Sequence, residues 1–220
     1  MSAFAVGSVI VLSLVVGAVS ASAHPTVIPR TTYASATGPV VVAIGDSIME
    51  GHGLDPAQAW PALLAKQSGW RLTNLASDGS GFVTRGDEGD TFADQVRVAA
   101  RLHPSIVLIS GSSNDLGVDD AALEKATTTT VNLLRTALPN AQIIAVSPVW
   151  NDKVAPAQMT TIDSDVKTAV TRVGGRYLDI GEPLLDQAEL MQSDDVHPTD
   201  AGQRVLAMAV ENDFASGRRV

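Results

Sequence analysis

Five short runs rich in apolar and β-branched residues recur along the chain, at residues 40–44, 71–75, 105–109, 142–146 and 176–180. Several are apolar at nearly every position, as expected of strands covered on both faces. Longer stretches of helical composition separate and follow them, at 56–68, 91–102, 119–138, 157–173 and 200–214. Crossovers of that length join parallel strands, and do so right-handedly. The alternation therefore predicts an α/β chain, a three-layer α/β/α sandwich with about five parallel strands. One feature works against it locally: four consecutive threonines at 127–130 weaken the third helix, because β-branched side chains lose rotamer freedom there. Ligands of such sheets bind beyond the carboxyl ends of the strands, so chemistry is expected just after each apolar run.

The first run ends in Gly45-Asp46-Ser47-Ile48, a glycine-led turn that would expose the Ser47 hydroxyl at the sheet edge. Alone, such a serine reads equally as a turn or cap residue. The segment Asp194-Asp195-Val196-His197-Pro198, just ahead of the last helix, changes that reading. Asp194 lies three positions before His197, so a single turn brings the carboxylate to the imidazole. There it can accept the Nδ1 proton and leave Nε2 as a base. Pro198 disfavours helix at His197 and keeps it on the entering loop. Asp195 adjoins Asp194; charge does not choose between them, but spacing favours Asp194. A nucleophile, a base and an orienting acid are the parts of serine-type acyl transfer. That chemistry also needs donors for the developing oxyanion. The candidates are the backbone N–H of Ser47, the N–H of Gly79 after the second run, and the Asn114 side chain after the third.

The other histidines are weaker candidates. His24 lies near the start, His103 belongs on the opposite sheet edge, and His52 follows Ser47 too closely to return as base, though it could line a pocket. A metal cluster of Asp194, Asp195, His197 and Asp200 lacks a second well-placed histidine, so no metal is expected. Residues 79–90, with Asp87, Glu88 and Asp90, read as a plain solvated loop. Trp60 reads as core; Trp150 fits a pocket wall and a buried structural position equally well.

Four segments together resemble the blocks of the SGNH, or GDSL, hydrolase superfamily. They are Gly45-Asp46-Ser47-Ile48, Asn74-Leu75-Ala76-Ser77-Asp78-Gly79, Ser112-Ser113-Asn114-Asp115 and Asp194-Asp195-Val196-His197-Pro198, in the family's order. Ser112 stands where glycine is common, with Gly111 just before it. The resemblance implies a flavodoxin-like sandwich and ester hydrolysis through an acyl-enzyme without a cofactor; with no long apolar lid evident in the sequence, short acyl or acetyl esters are the expected substrates. It further implies Ser47, Gly79, Asn114 and His197 as signature residues, with Asp194 completing a triad. The rival readings are a flavodoxin-like module holding phosphate or flavin, and a catalytically silent surface domain.

Composition narrows the partners. Among 220 residues, 45% are apolar and 18% charged, as in a globular chain, and the formal net charge of −9 argues against nucleic acid. The expected partner is a small-molecule, polysaccharide or lipid ester. The absence of cysteine excludes a thiol nucleophile and a disulfide framework. Residues 3–19 form an uncharged apolar run followed by Ser20-Ala21-Ser22-Ala23, the pattern of a signal-peptidase site without a basic leader. The expected organisation is a signal peptide or anchor at 1–23, a Pro-containing linker at 24–38 and a hydrolase domain at 39–220. The expected location is extracellular, or membrane-anchored and facing outside.

Overall fold

The computed structural model describes residues 27, 29–33 and 37–216; the expected leader at 1–23 lies outside them. Six strands form one sheet: β1 (Arg30–Tyr33), β2 (Val40–Ile44), β3 (Arg71–Asn74), β4 (Ile106–Ser110), β5 (Gln142–Val146) and β6 (Arg176–Leu178). Their spatial order is β1-β3-β2-β4-β5-β6. β2 to β6 are mutually parallel, and β1 runs antiparallel to β3. The five parallel strands thus follow the flavodoxin-like order, and the chain changes direction across the sheet between β2 and β4. That switch point opens a crevice at the carboxyl ends of those two strands.

Strand β1 is a departure. It falls inside the segment expected to be a linker, where residues 30 to 33 extend the sheet by one edge strand. Its sequence, Arg-Thr-Thr-Tyr, carries no apolar alternation, and its place in the sheet comes from backbone pairing with β3.

Alternation along the strands builds two cores. Val41, Ala43, Ile106, Leu108, Ile144 and Val146 face helices α2 (Trp60–Ser68) and α6 (Asp200–Ser216). Val42, Ile44, Val107, Ile109, Ile143 and Ala145 face α3 (Phe92–Leu102), α4 (Asp120–Ala137) and α5 (Ala157–Arg172). Each such valine, leucine or isoleucine, withdrawn from water, contributes about 1.5–3 kcal/mol before entropy is counted. The result is the expected three-layer sandwich. The threonine run does not break α4, since Thr127 and Thr130 join Leu123, Val131 and Leu134 on its buried stripe. Tertiary packing overrides propensity here.

The first expected helix, by contrast, is divided. Pro56–Gln58 makes a 3₁₀ turn, Ala59 is extended (φ −60°, ψ 139°), and α2 begins at Trp60. A continuous helix would place Pro61 in its interior, where it lacks an N–H and clashes with the preceding turn. Restarting at Trp60 puts that proline in the first turn, where the missing donor costs nothing.

Candidate active site

Beyond β2 the chain turns at once into a single helical turn, α1 (Ser47–Glu50). Gly45 must be glycine, because a Cβ there would lie 2.6 Å from Met49 Sδ and 2.8 Å from its Cβ. Asp46 caps the turn: its Oδ1 accepts from the Ile48 N–H at 3.0 Å and its Oδ2 from the Ser112 hydroxyl at 2.7 Å. Burial pushes the Asp46 carboxyl above its usual range, against the pull of those donors and of His197. Ser47 is the first residue of α1, so its own N–H has no acceptor within the helix.

The loop before α6 delivers the remaining partners. Ser47 Oγ and His197 Nε2 are 3.0 Å apart, and His197 Nδ1 lies 2.8 Å from Asp194 Oδ2. The other Asp194 oxygen accepts from the backbone N–H groups of Val196 and His197, each at 3.0 Å. The His197 N–H, the His197 ring and the Val196 N–H, in that order, hold the Asp194 carboxyl well below the usual carboxylate range. An ionised carboxylate can only accept, so Nδ1 carries the imidazole proton and Nε2 accepts from the Ser47 hydroxyl. Asp195 does something different. It adopts a left-handed φ of 56°, donates its N–H to the Gln192 carbonyl at 3.1 Å, and accepts from Asn151 Nδ2 at 2.9 Å through its own carbonyl. It shapes the loop, and Asp194 meets the ring.

Gly79 and Asn114 arrive on adjoining loops. Gly79 has φ 73° in the turn closed by Ser80 N–H to the Ser77 carbonyl at 3.3 Å, a backbone conformation that favours glycine. That turn is docked on Gly45, whose carbonyl accepts from the Ser77 N–H at 3.2 Å and the Ser80 hydroxyl at 3.0 Å. Asn114 donates one amide hydrogen to the Ser80 carbonyl at 3.1 Å, which leaves the second for another acceptor. Asp115, fully buried, accepts from the N–H groups of Phe82, Val83 and Thr84, tying the third loop to the second. Ser112 has a definite task at its unusual position. Its hydroxyl joins Asp46 and accepts from the Asn114 N–H at 3.1 Å, while glycine is required at 111, where a Cβ would lie 2.9 Å from Ile162 Cγ2. The five expected site residues therefore gather at one sheet edge, three of them in a continuous hydrogen-bonded chain.

Several participants were not legible as such. The segment expected to be a plain solvated loop has exposed Asp87, but Asp90 is fully buried and accepts from the Ser77 hydroxyl at 2.7 Å and Gln95 Nε2 at 3.0 Å. Gln95 in turn receives the Gly45 N–H at 2.9 Å, so acid and amide brace the Ser47 turn from beneath. His52 lines the site, as one reading allowed, and stacks on His197 with ring centroids 4.0 Å apart and planes inclined by 25°. Glycines on both sides of His52 were the available signal: Gly51 closes α1 at φ 88° and turns the chain back. Ligand atoms of His52, Asp194 and His197 lie within 4.8 Å of one another. The two imidazoles are nearly parallel, however, so their in-plane lone pairs do not converge on a common point. Trp60 is core, 2% exposed. Half-buried Trp150 lines a cleft of about 40 Å³ between Ile48 and Val196, with Ser113, Val149 and Asn151.

Residues 43–205 match the GDSL-like Lipase/Acylhydrolase family. The chain is 30% identical to a GDSL lipase of Mycobacterium tuberculosis over 181 residues, covering 76% of this chain and 78% of that one. Among solved structures it is similar in fold to the psychrotrophic esterase EstA from a Pseudoalteromonas species, with TM-score 0.64, 19% identity, and coverage of 83% of this chain and 100% of that one. A family two carbohydrate esterase from Cellvibrio japonicus shares the fold at TM-score 0.65 and 15% identity, over 82% of this chain and 62% of that one.

Proposed function

The chain belongs to the GDSL-like Lipase/Acylhydrolase family and is a carboxylic ester hydrolase, and from that premise we propose that it works through a serine acyl-enzyme with Ser47, His197 and Asp194 as triad. The observation that carries the reading is the unbroken chain of contacts from Asp194 through His197 to Ser47, at 2.8 and 3.0 Å.

In this mechanism His197 Nε2 takes the proton of the Ser47 hydroxyl as Oγ bonds to the ester carbonyl carbon. The charge developing on the carbonyl oxygen is held by the N–H groups of Ser47 and Gly79 and by the free amide hydrogen of Asn114. Asp194 stabilises the imidazolium without taking its proton. His197 then gives that proton to the departing alkoxide, the alcohol leaves, and the acyl group stays on Ser47. Water, deprotonated by the same nitrogen, releases the carboxylic acid. Because the base acts only when unprotonated, kcat/KM falls on the acid side.

The acyl group is taken to be short: the cleft of about 40 Å³ beside Ile48 and Val196, the sequence neighbours of Ser47 and His197, suits acetyl or propionyl better than a long chain. Secretion is proposed on the strength of the apolar run and the Ala21-Ser22-Ala23 stretch; N-terminal sequencing of protein from the culture medium would find His24 first. The test of function is turnover of p-nitrophenyl esters from acetate to decanoate by the full chain, beside Ser47→Ala. The expected result is activity on acetate that declines with chain length and vanishes in the variant. Equal turnover by both proteins would overturn the reading.

A further inference from the structure

Acyl transfer as set out above makes no use of a second histidine–aspartate pair that lies directly against the base. Hydrogen bonds tie His52 to three of the four segments that meet at Ser47, all but the one carrying Asn114. Its backbone N–H donates to the Ser47 carbonyl at 3.0 Å. Its Nδ1 lies 2.6 Å from Oδ2 of Asp78, the residue just before Gly79. Its carbonyl accepts from Gln192 Nε2 at 2.8 Å, and the same amide reaches the Pro198 carbonyl at 3.0 Å, one residue past His197. Gln192 completes the clamp by donating its own N–H to the His197 carbonyl at 2.7 Å.

With its backbone held at both ends and its ring anchored by Asp78, His52 forms a fixed wall. It covers one face of the His197 imidazole at a centroid distance of 4.0 Å. Face-to-face packing leaves both His197 nitrogens free at the ring edge for Asp194 and Ser47, while opposing any rotation of the ring out of their plane. The arrangement also has an electrostatic side. Two imidazolium ions at that separation repel, and 40% exposure of the His52 side chain softens the repulsion without removing it.

The geometry points to His52, braced by Asp78, as a positioning residue for His197: it keeps the base in register with Ser47. This rests on the reading of His197 as the base. The charged groups around the two rings are Asp78 on His52, Asp194 on His197, and Asp46, which acts on His197 through space from the start of α1.

The test compares His52→Ala and His52→Phe with the wild type in the full chain, every rate being expressed per site titrated by a fluorescent phosphonate. Loss of the wall in His52→Ala lowers kcat by about tenfold with KM changed less than about twofold, since the defect lies in the base and not in binding. Phenylalanine restores the face without the charge, so His52→Phe recovers kcat at pH 8 to within about threefold of the wild type. Wild-type kcat in His52→Ala, or a His52→Phe enzyme no faster than His52→Ala, would overturn the proposal. Neither result touches the acyl-enzyme reading, which stands or falls with Ser47→Ala.

Discussion

Replacing Asp194 by asparagine is expected to damage turnover more than deleting its side chain altogether. The carboxylate has two separate duties: Oδ1 accepts the N–H groups of Val196 and His197 at 3.0 Å each, and Oδ2 accepts from His197 Nδ1 at 2.8 Å. An asparagine has one oxygen for both. Two backbone donors outweigh one ring donor, so the amide oxygen takes the Oδ1 place and the NH₂ group faces Nδ1. Two donors cannot share a hydrogen bond, and the imidazole proton moves to Nε2, where it blocks acceptance from Ser47. Restoring the working tautomer means turning the amide over and setting its NH₂ against both backbone donors. At about 1.5–2 kcal/mol for each of the two bonds forgone, the penalty is about 3–4 kcal/mol, or roughly 200- to 1,000-fold in kcat. In Asp194→Ala, water reaches the same donors, because the aspartate side chain is 41% exposed. Nδ1 keeps its proton, and the loss is confined to orientation and charge, about 10- to 100-fold. The assay is kcat on p-nitrophenyl acetate at pH 8, normalised by phosphonate titration, with Asp195→Asn as control. The control is expected to lie within about twofold of the wild type, since asparagine tolerates the left-handed backbone at that position. An Asp194→Asn enzyme faster than Asp194→Ala would refute the tautomer argument.

Two further substitutions probe the scaffold of the site. Asp46 is an acid whose carboxyl is raised by burial in the folded state, so its contribution to stability is greatest below the unfolded value of about 3.9 and is lost as pH rises through the folded value. Asp46→Asn keeps an oxygen for the Ile48 N–H but carries no charge; urea midpoints should therefore move in the variant's favour between pH 4 and pH 8, and the opposite movement would contradict the burial argument. The same change removes the charge acting on His197 and should lower kcat severalfold. Gly81→Ala would bring a Cβ to 2.5–2.7 Å from the Asp115 carboxylate, an overpacking expected to cost about 1–3 kcal/mol and to slow turnover by displacing neighbouring Asn114; an unchanged melting temperature would mean that the third loop is looser than its three N–H bonds to Asp115 imply.

What could be read from the chain beforehand divides along physical lines. Apolar runs such as 106–109 and 143–146 announced the central strands because residues buried on both sheet faces leave a continuous hydrophobic record. The acid–histidine spacing of three separated Asp194 from Asp195, since one turn of chain closes that distance and the left-handed residue between serves only the turn. β1 left no record, because Arg30 to Tyr33 pair through their backbone. The brace beneath Ser47 was hidden for another reason. Asp90, Gln95 and Asp115 are polar residues in ordinary-looking places, and only the folded chain reveals that their acceptors meet orphaned N–H groups. Sequence pattern tracks hydrophobic burial; satisfied polar burial has no period to track.

The distribution of those buried polar groups bears on how the site works. On the side proposed to hold the oxyanion, Gly45, Ser80, Gln95, Asp90, Ser112 and Asp46 are all buried or joined to buried partners by hydrogen bonds, so the donors assigned to a developing charge would be fixed before substrate arrives. The base side is built differently. Asp194 and Val196 are exposed, and the loop that carries them has few buried contacts of its own. Its order comes from Asn151 gripping Asp195, Gln192 gripping His52, Pro198 and His197, and the stacked ring of His52. A fixed oxyanion pocket and a base held by surface hydrogen bonds will not soften together on heating or in denaturant. Hydrogen exchange should therefore open the amides of 192–198 at lower free energy than those of 77–84, and activity should fade before the sheet unfolds.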